Sequence, residues 1–170
     1  MLRLDVVEDE GDWSRLQPVA LLTDCLARTA ADHVPGLAGP AMATLALSSD
    51  RHVRALNLAW RGKHEPTNVL SFGAAPLAGG PTRGLVFLGD IVLASETLFR
   101  EAAEADIEPS HHFQHLVVHG LLHLLGYDHE TENEADVMEG LEIRILAALG
   151  IANPYTDHRS GRASRLIATT

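Results

Sequence analysis

Three histidines punctuate an otherwise aliphatic stretch, HGLLHLLGYDH, from His119 to His129. His119 and His123 are four residues apart, so on a helix their rings share one face and can reach one ion. Gly126 lets the chain turn back sharply, and His129 can then supply a third nitrogen. Three neutral imidazoles leave a dication its full charge and leave a fourth position for water, the arrangement of a catalytic zinc rather than a structural one. Water held there ionises near pH 7. The plainer reading makes each ring a polar residue at a helix end. It would explain one histidine more easily than three spaced around a glycine.

In zinc-protease helices the residue after the first histidine is a glutamate that serves as general base. Here it is Gly120. This counts against peptide hydrolysis by that route. It counts less against phosphoryl transfer, where a metal and an arginine offset charge on the equatorial oxygens. Among the nearby acids, Asp128 is placed to orient a ligand imidazole. Glu134 pairs with Thr131 as a capping box, and Glu130, Glu132 and Asp136 read as a solvated face.

The elements that must hold these rings follow from periodicity. Pro109 suits the first turn of a helix running to about Leu125, where Gly126 stops it. At about 100° per residue, and with His115 set at zero, His119, His112 and His123 fall near 40°, 60° and 80°. Val117, Val118, Leu121, Leu122, Leu124 and Leu125 fill roughly 180° to 340°. The aliphatic face belongs against a sheet, and the imidazole stripe is expected to face a cavity or solvent. His111, His112 and His115 lack a closing partner and read as surface or supporting residues, with substrate contact open for His115.

Alternation marks a strand over Leu2–Val7, and further strands are expected over Met42–Leu47, Asn68–Phe72 and Leu85–Leu93. Gly89 inside the last points to a bulge, beside which Asp90 sits. Helices are expected over Pro18–His33, Ser49–Ala59, Ser95–Ala105 and from Thr131 to Leu149. Arg61-Gly62-Lys63 ends the second of these, with glycine as C-cap and cations at the negative end of the dipole. Val34–Pro40 and the glycine-rich Gly73–Gly84 read as loops. Strands and helices do not alternate strictly, so the expected fold class is α+β: a small mixed four-stranded sheet covered by about five helices, with the zinc site at the end of a central helix. Residues 1–156 are expected to form one domain. Residues 157–170, with Arg159, Arg162 and Arg165, are expected to be a disordered tail.

The 170 residues carry 23 acids against 13 Lys and Arg, a net charge of −10. A general nucleic-acid binder is usually basic, so any phosphate contact must be local. No apolar run is long enough to span a membrane, and no signal-peptide layout opens the chain. Cys25 alone allows no internal disulfide, so the cytoplasm is the expected compartment. An aromatic content of 5% argues against a stacking platform for bases, and weak sequence specificity follows.

HGLLHLLGYDH resembles the signature of the bacterial YbeY family, metal-dependent endoribonucleases of ribosomal RNA maturation. WRGKHEPTNVLSFG, from Trp60 to Gly73, is similar to a second block of that family. LGDIVLA (Leu88–Ala94) and Glu134-x3-Met138-x3-Glu142 are similar to two more, in the same order. The resemblance implies zinc on His119, His123 and His129, with Arg61 as the functionally important arginine. It implies single-stranded RNA, precursor ribosomal RNA, as substrate, and the small ribosomal subunit with its assembly proteins as partners. His64-Glu65 departs from the charged pair, including Lys, that relatives often carry there.

Arg61 and Lys63 admit two readings: phosphate contacts, for which a guanidinium fork is well suited, or helix-end cations. Asn68 and Ser71 likewise could donate to phosphate or ribose, or serve the strand edge. The leading expectation is a zinc-dependent, single-strand-specific endoribonuclease in ribosomal RNA maturation and ribosome quality control. Two alternatives stand beside it: a zincin-like metalloprotease using a remote acid, and a non-catalytic ribosome assembly factor with structural zinc.

Overall fold

A computed structural model describes residues 1–16, 18–35, 37, 39–64, 67–74 and 84–156. The expected tail, 157–170, and most of the loop expected over Gly73–Gly84 lie outside the described residues. Four strands form one sheet: β1 (Leu2–Glu8), β2 (Ala41–Ser48), β3 (Val69–Gly73) and β4 (Val86–Ala94), in the order β1-β2-β4-β3. β1 and β2 pair in parallel, as do β2 and β4, while β3 runs antiparallel to β4 at the edge. Among the described residues five α-helices surround it: α1 (Val19–His33), α2 (Asp50–Arg61), α3 (Ser95–Glu104), α4 (Pro109–Leu124) and α5 (Glu132–Ala148). The fold is α+β, as the sequence implies.

Local chemistry sets the boundaries that matter for the site. The Ser49 side chain caps α2 by accepting from His52 N, and Gly62 closes the helix at φ 66°. Thr131 and Glu134 make the expected reciprocal capping box on α5. The bulge falls at Gly89: its φ is 135°, and a Cβ there would lie 2.1 Å from the Phe72 carbonyl oxygen. Only glycine fits so close to a neighbouring backbone.

The two faces of the sheet differ. On one, Leu2 and Leu4 of β1, Ala43, Leu45 and Leu47 of β2, and Ile91 and Leu93 of β4 are buried with Leu116, Val117, Leu121 and Ile145 of the helices. On the other, α2 covers a smaller cluster of Val53, Leu70, Val92 and Ala94. α4 is enclosed almost all round, because α5, α1 and α3 pack against it as well as the sheet. His112, His115 and His119 are therefore 2%, 4% and 6% exposed. The stripe is thus closed to solvent over most of its length, while His111, His112 and His115 border a cavity of about 550 Å³, so the expectation of a cavity or solvent holds for the cavity and not for solvent. A 100° repeat distinguishes the faces of a helix but not what the rest of the chain lays over them.

Candidate metal centre

At its C-terminal end the stripe opens into a second, smaller cleft. His119 and His123 line a cleft of about 210 Å³ together with Arg61, Val69, Ser71, Asp128 and Glu130. After α4, the turn at Gly126 (φ 88°) brings His129 back against both rings. One nitrogen from each of His119, His123 and His129 lies within 4.8 Å of the other two. The Nε2 atoms of His119 and His123 are 3.1 Å apart.

Glu142, reaching in from α5, sets the orientation. Its side chain is buried, and Oε1 accepts from His119 Nδ1 at 2.7 Å. An ionised carboxylate only accepts, so the proton sits on Nδ1, and neutral His119 turns the lone pair of Nε2 into the cleft. Oε2 accepts from the Tyr155 hydroxyl and lies 3.4 Å from His115 Nε2. Burial works to raise the Glu142 carboxyl, but the hydrogen bonds from His115 and His119 outweigh it and hold it at about 2. His123 goes the other way. Burial first, and then the close approach of the His119 and His129 rings, lower it to about 4, against a smaller opposing effect from Asp128 and the Tyr127 backbone. It is thus neutral at pH 7, as a ligand must be.

The donor set fits a metal ion. Three imidazoles converge, one with its tautomer fixed by a carboxylate, and the buried Nδ1 of His129 has no hydrogen-bond partner. Imidazole nitrogen suits zinc, copper, iron and nickel rather than magnesium or calcium. Because the cleft is open beside them, three protein donors leave room for a non-protein ligand.

Gly120 also has a reason to be glycine. A Cβ there would lie 2.9 Å from both Ile91 Cγ2 and Ser71 Oγ, and Ser71 Oγ donates to the Gly120 carbonyl at 3.2 Å. The helix position that carries the general base in zinc proteases faces the sheet here, with no space for a side chain.

The other expected site residues separate. Arg61, on the last turn of α2, reaches the cleft; its Nη1 is buried with no hydrogen-bond partner, and burial lowers its pKa. Ser71 lines the cleft with its hydroxyl committed to Gly120. Lys63 is exposed, beyond the cleft lining. Asn68 is fully buried and donates to Glu101 Oε2 at 2.9 Å, a structural position. His115 lies behind His119 on Glu142, so the reading as a substrate contact gives way to support of the ligand carboxylate. Asp128 also changes role: it is exposed, and its Oδ1 accepts from the His129 backbone at 2.8 Å, fixing the loop rather than a ring. Sequence reasoning gave Glu142 no role of its own. The available signal was an acid among Met138, Leu141, Ile145 and Leu146 on the buried face of α5.

Fold and site together define a small α+β protein with an open cluster of three histidines that fits a metal ion. Residues 19–150 match the family model described as Endoribonuclease YbeY, and the chain belongs to that family. A relative in Rhodospirillum rubrum, named Endoribonuclease YbeY, is 50% identical over 93% of this chain and 84% of its own length. Relatives of the same name in Allorhizobium ampelinum and Sinorhizobium medicae are 46% and 44% identical, over 91% and 92% of this chain and 96% of theirs. The solution structure of a Thermotoga maritima protein, 23% identical, superposes with a TM-score of 0.53 over 97% of this chain and all of that one, which supports the fold.

Proposed function

We propose that this endoribonuclease is zinc-dependent and single-strand-specific, and that it acts in the cytoplasm on precursor ribosomal RNA, in maturation and quality control of the small ribosomal subunit. Family membership supports RNA phosphodiester cleavage in ribosomal RNA processing. One observation carries the chemistry: two of the three convergent imidazoles and the Arg61 guanidinium open into the same cleft, with the third imidazole against them.

A zinc ion on His119, His123 and His129 would supply Lewis acidity and would lower the pKa of water. The chain's own residues do the rest. Glu142 holds His119 in the tautomer that presents Nε2. Arg61 offers its unpaired N–H groups to the phosphate and offsets the charge that grows on its oxygens during attack. Asp128 and Glu130 line the same cleft, so its charge is divided without the ion, and a dication tips it toward phosphate. The helix position of a protease base is closed by Ile91 and Ser71, so a metalloprotease would have to draw its base from a remote acid.

The test is cleavage of one labelled RNA, as single strand and as duplex, by the zinc-loaded full chain, the chelated chain and Arg61→Ala. We expect cutting of the single strand, loss on chelation and return with zinc. Arg61→Ala should keep its zinc and lose roughly 100- to 1,000-fold in rate. Zinc-loaded protein that leaves the single strand intact, or an Arg61→Ala variant as active as wild type, would overturn the reading. End-group analysis then separates attack by the ribose 2′-OH, which leaves a cyclic phosphate, from attack by water.

A further inference from the structure

α2 is a basic helix on an acidic protein. Between Asp50 and His64 the sequence carries Arg51, Arg54, Arg61 and Lys63 against one acid, Asp50, in a chain of net charge −10. The last turn of that helix presents Trp60, which is 72% exposed. Its ring packs on Phe72 of β3, with centroids 6.0 Å apart and planes at 58°.

β3 is an edge strand, and consecutive residues of a strand point to opposite faces. Ser71 points to α4 and lines the metal cleft, while Phe72 points to α2 and Trp60. The aromatic pair and the histidines therefore lie on the two sides of one edge strand. Arg61, directly after Trp60, belongs to the cleft. Phe87, 41% exposed and paired with Met42 in the register of β4 on β2, is on the same face of the sheet as Phe72.

We propose that Trp60, backed by Phe72, stacks a base of the single-stranded RNA beside the phosphate that Arg61 engages. The proposal rests on the RNA-cleaving reading and adds a subsite to it. An indole this exposed forgoes the stabilisation of burial, and its free face is available to a base. RNA is favoured over a protein partner because the pair adjoins the phosphate-binding arginine and rides on the basic segment of the chain. Stacking also suits the charge problem. It adds affinity that is neither opposed by the −10 charge nor dependent on base identity, since every base has a π-face. The low aromatic content thus excludes an extended platform, not a single stacking position at the cleft.

The chain has two tryptophans, and the other, Trp13, is 4% exposed against Phe99 and Phe113. Quenching of indole fluorescence by direct contact with RNA therefore reports Trp60. The zinc-loaded full chain is mixed with a single-stranded RNA oligonucleotide in a stopped-flow fluorimeter and followed before cleavage proceeds. We expect quenching in wild type and none in Trp60→Leu. Steady-state cleavage by Trp60→Leu should show KM raised roughly tenfold with kcat changed less than twofold, and Trp60→Tyr should recover most of the loss. An abasic nucleotide walked along the oligonucleotide should produce the same loss in wild type at one position, and no further loss there in Trp60→Leu. Independent, additive effects of the abasic site and the substitution would overturn the stacking assignment. So would unchanged KM in Trp60→Leu, or a fall in kcat, which would mean that Arg61 had merely been displaced. Quenching by RNA that wild type never cuts would support the stacking position and overturn the nuclease reading; cleavage without quenching would do the reverse.

Discussion

At the C-terminal end of α4, His119 and His123 turn toward a cleft; up to three turns earlier, on the same face, His112 and His115 turn toward carboxylates. His112 Nε2 lies 2.9 Å from Glu101 of α3, and His115 Nε2 lies 3.4 Å from Glu142 of α5. His119 belongs to both sets, with Nδ1 on Glu142 and Nε2 beside His123. Residue type and helical spacing are the same at both ends. What differs is the element packed opposite. A helix that lays an acid on the stripe makes a buried hydrogen-bonded pair, whereas the turn at Gly126 lays a third imidazole there and makes a convergent set of ring nitrogens.

Substitution at the two ends should separate them most sharply. His123→Ala should abolish stoichiometric zinc binding and RNA cleavage, while the metal-free protein stays folded. His112→Ala should keep its zinc and lose about 1–3 kcal/mol of stability, because Glu101 loses a buried partner. Metal analysis with denaturant melts reads both, and a His112→Ala protein that binds no zinc would erase the distinction. Next in size is the link between the ends. Glu142→Gln keeps the shape but no longer enforces the His119 tautomer, and should weaken zinc binding about 10- to 100-fold in competition with a chelator. Unchanged affinity would leave Glu142 a purely structural acid.

Acid should act on both regions in sequence. His123 takes up its proton near pH 6.5 when unfolded but only near pH 4 when folded, so the unfolded chain binds more protons between these values. Stability of the metal-free protein should therefore fall as pH drops from about 6.5 to 4. Glu142 then continues the loss from about 4.5 down to 2, again because the unfolded state protonates first. In His123→Ala the upper limb should flatten and the lower limb persist, as followed by melting temperature against pH. Smallest is the backing of the helix. Gly120→Ala forces Ile91 or Ser71 to shift and should cost about 1–3 kcal/mol, with zinc retained. A neutral melt would mean that the sheet yields freely under α4.

Much of this was legible in the chain. The strands, the five helices, the Gly62 and Gly126 stops, the Thr131 capping box and the Gly89 bulge depend on neighbours in sequence, and periodicity and turn chemistry report those. The clustering of His119, His123 and His129 is legible for the same reason, because one helix and one turn bring them together. Glu142 is not, since it meets His119 only when α5 folds onto α4, 23 residues away. The burial of His112 and His115 and the commitment of Asn68 to Glu101 also depend on α3 and α5 packing. Arg61 is intermediate: its helix end is local, but its approach to the cleft requires α2 to lie over the β3 edge.

The central claim, one ion shared by three imidazoles with a position left open, is tested most directly by zinc-edge X-ray absorption on the full chain loaded with one equivalent of zinc. The account predicts three imidazole nitrogens at about 2.0–2.1 Å, recognised by the scattering of their rings, and one oxygen ligand from solvent without it, with one imidazole lost in His129→Ala. Four protein ligands, or two imidazoles with His129 remote, would contradict it.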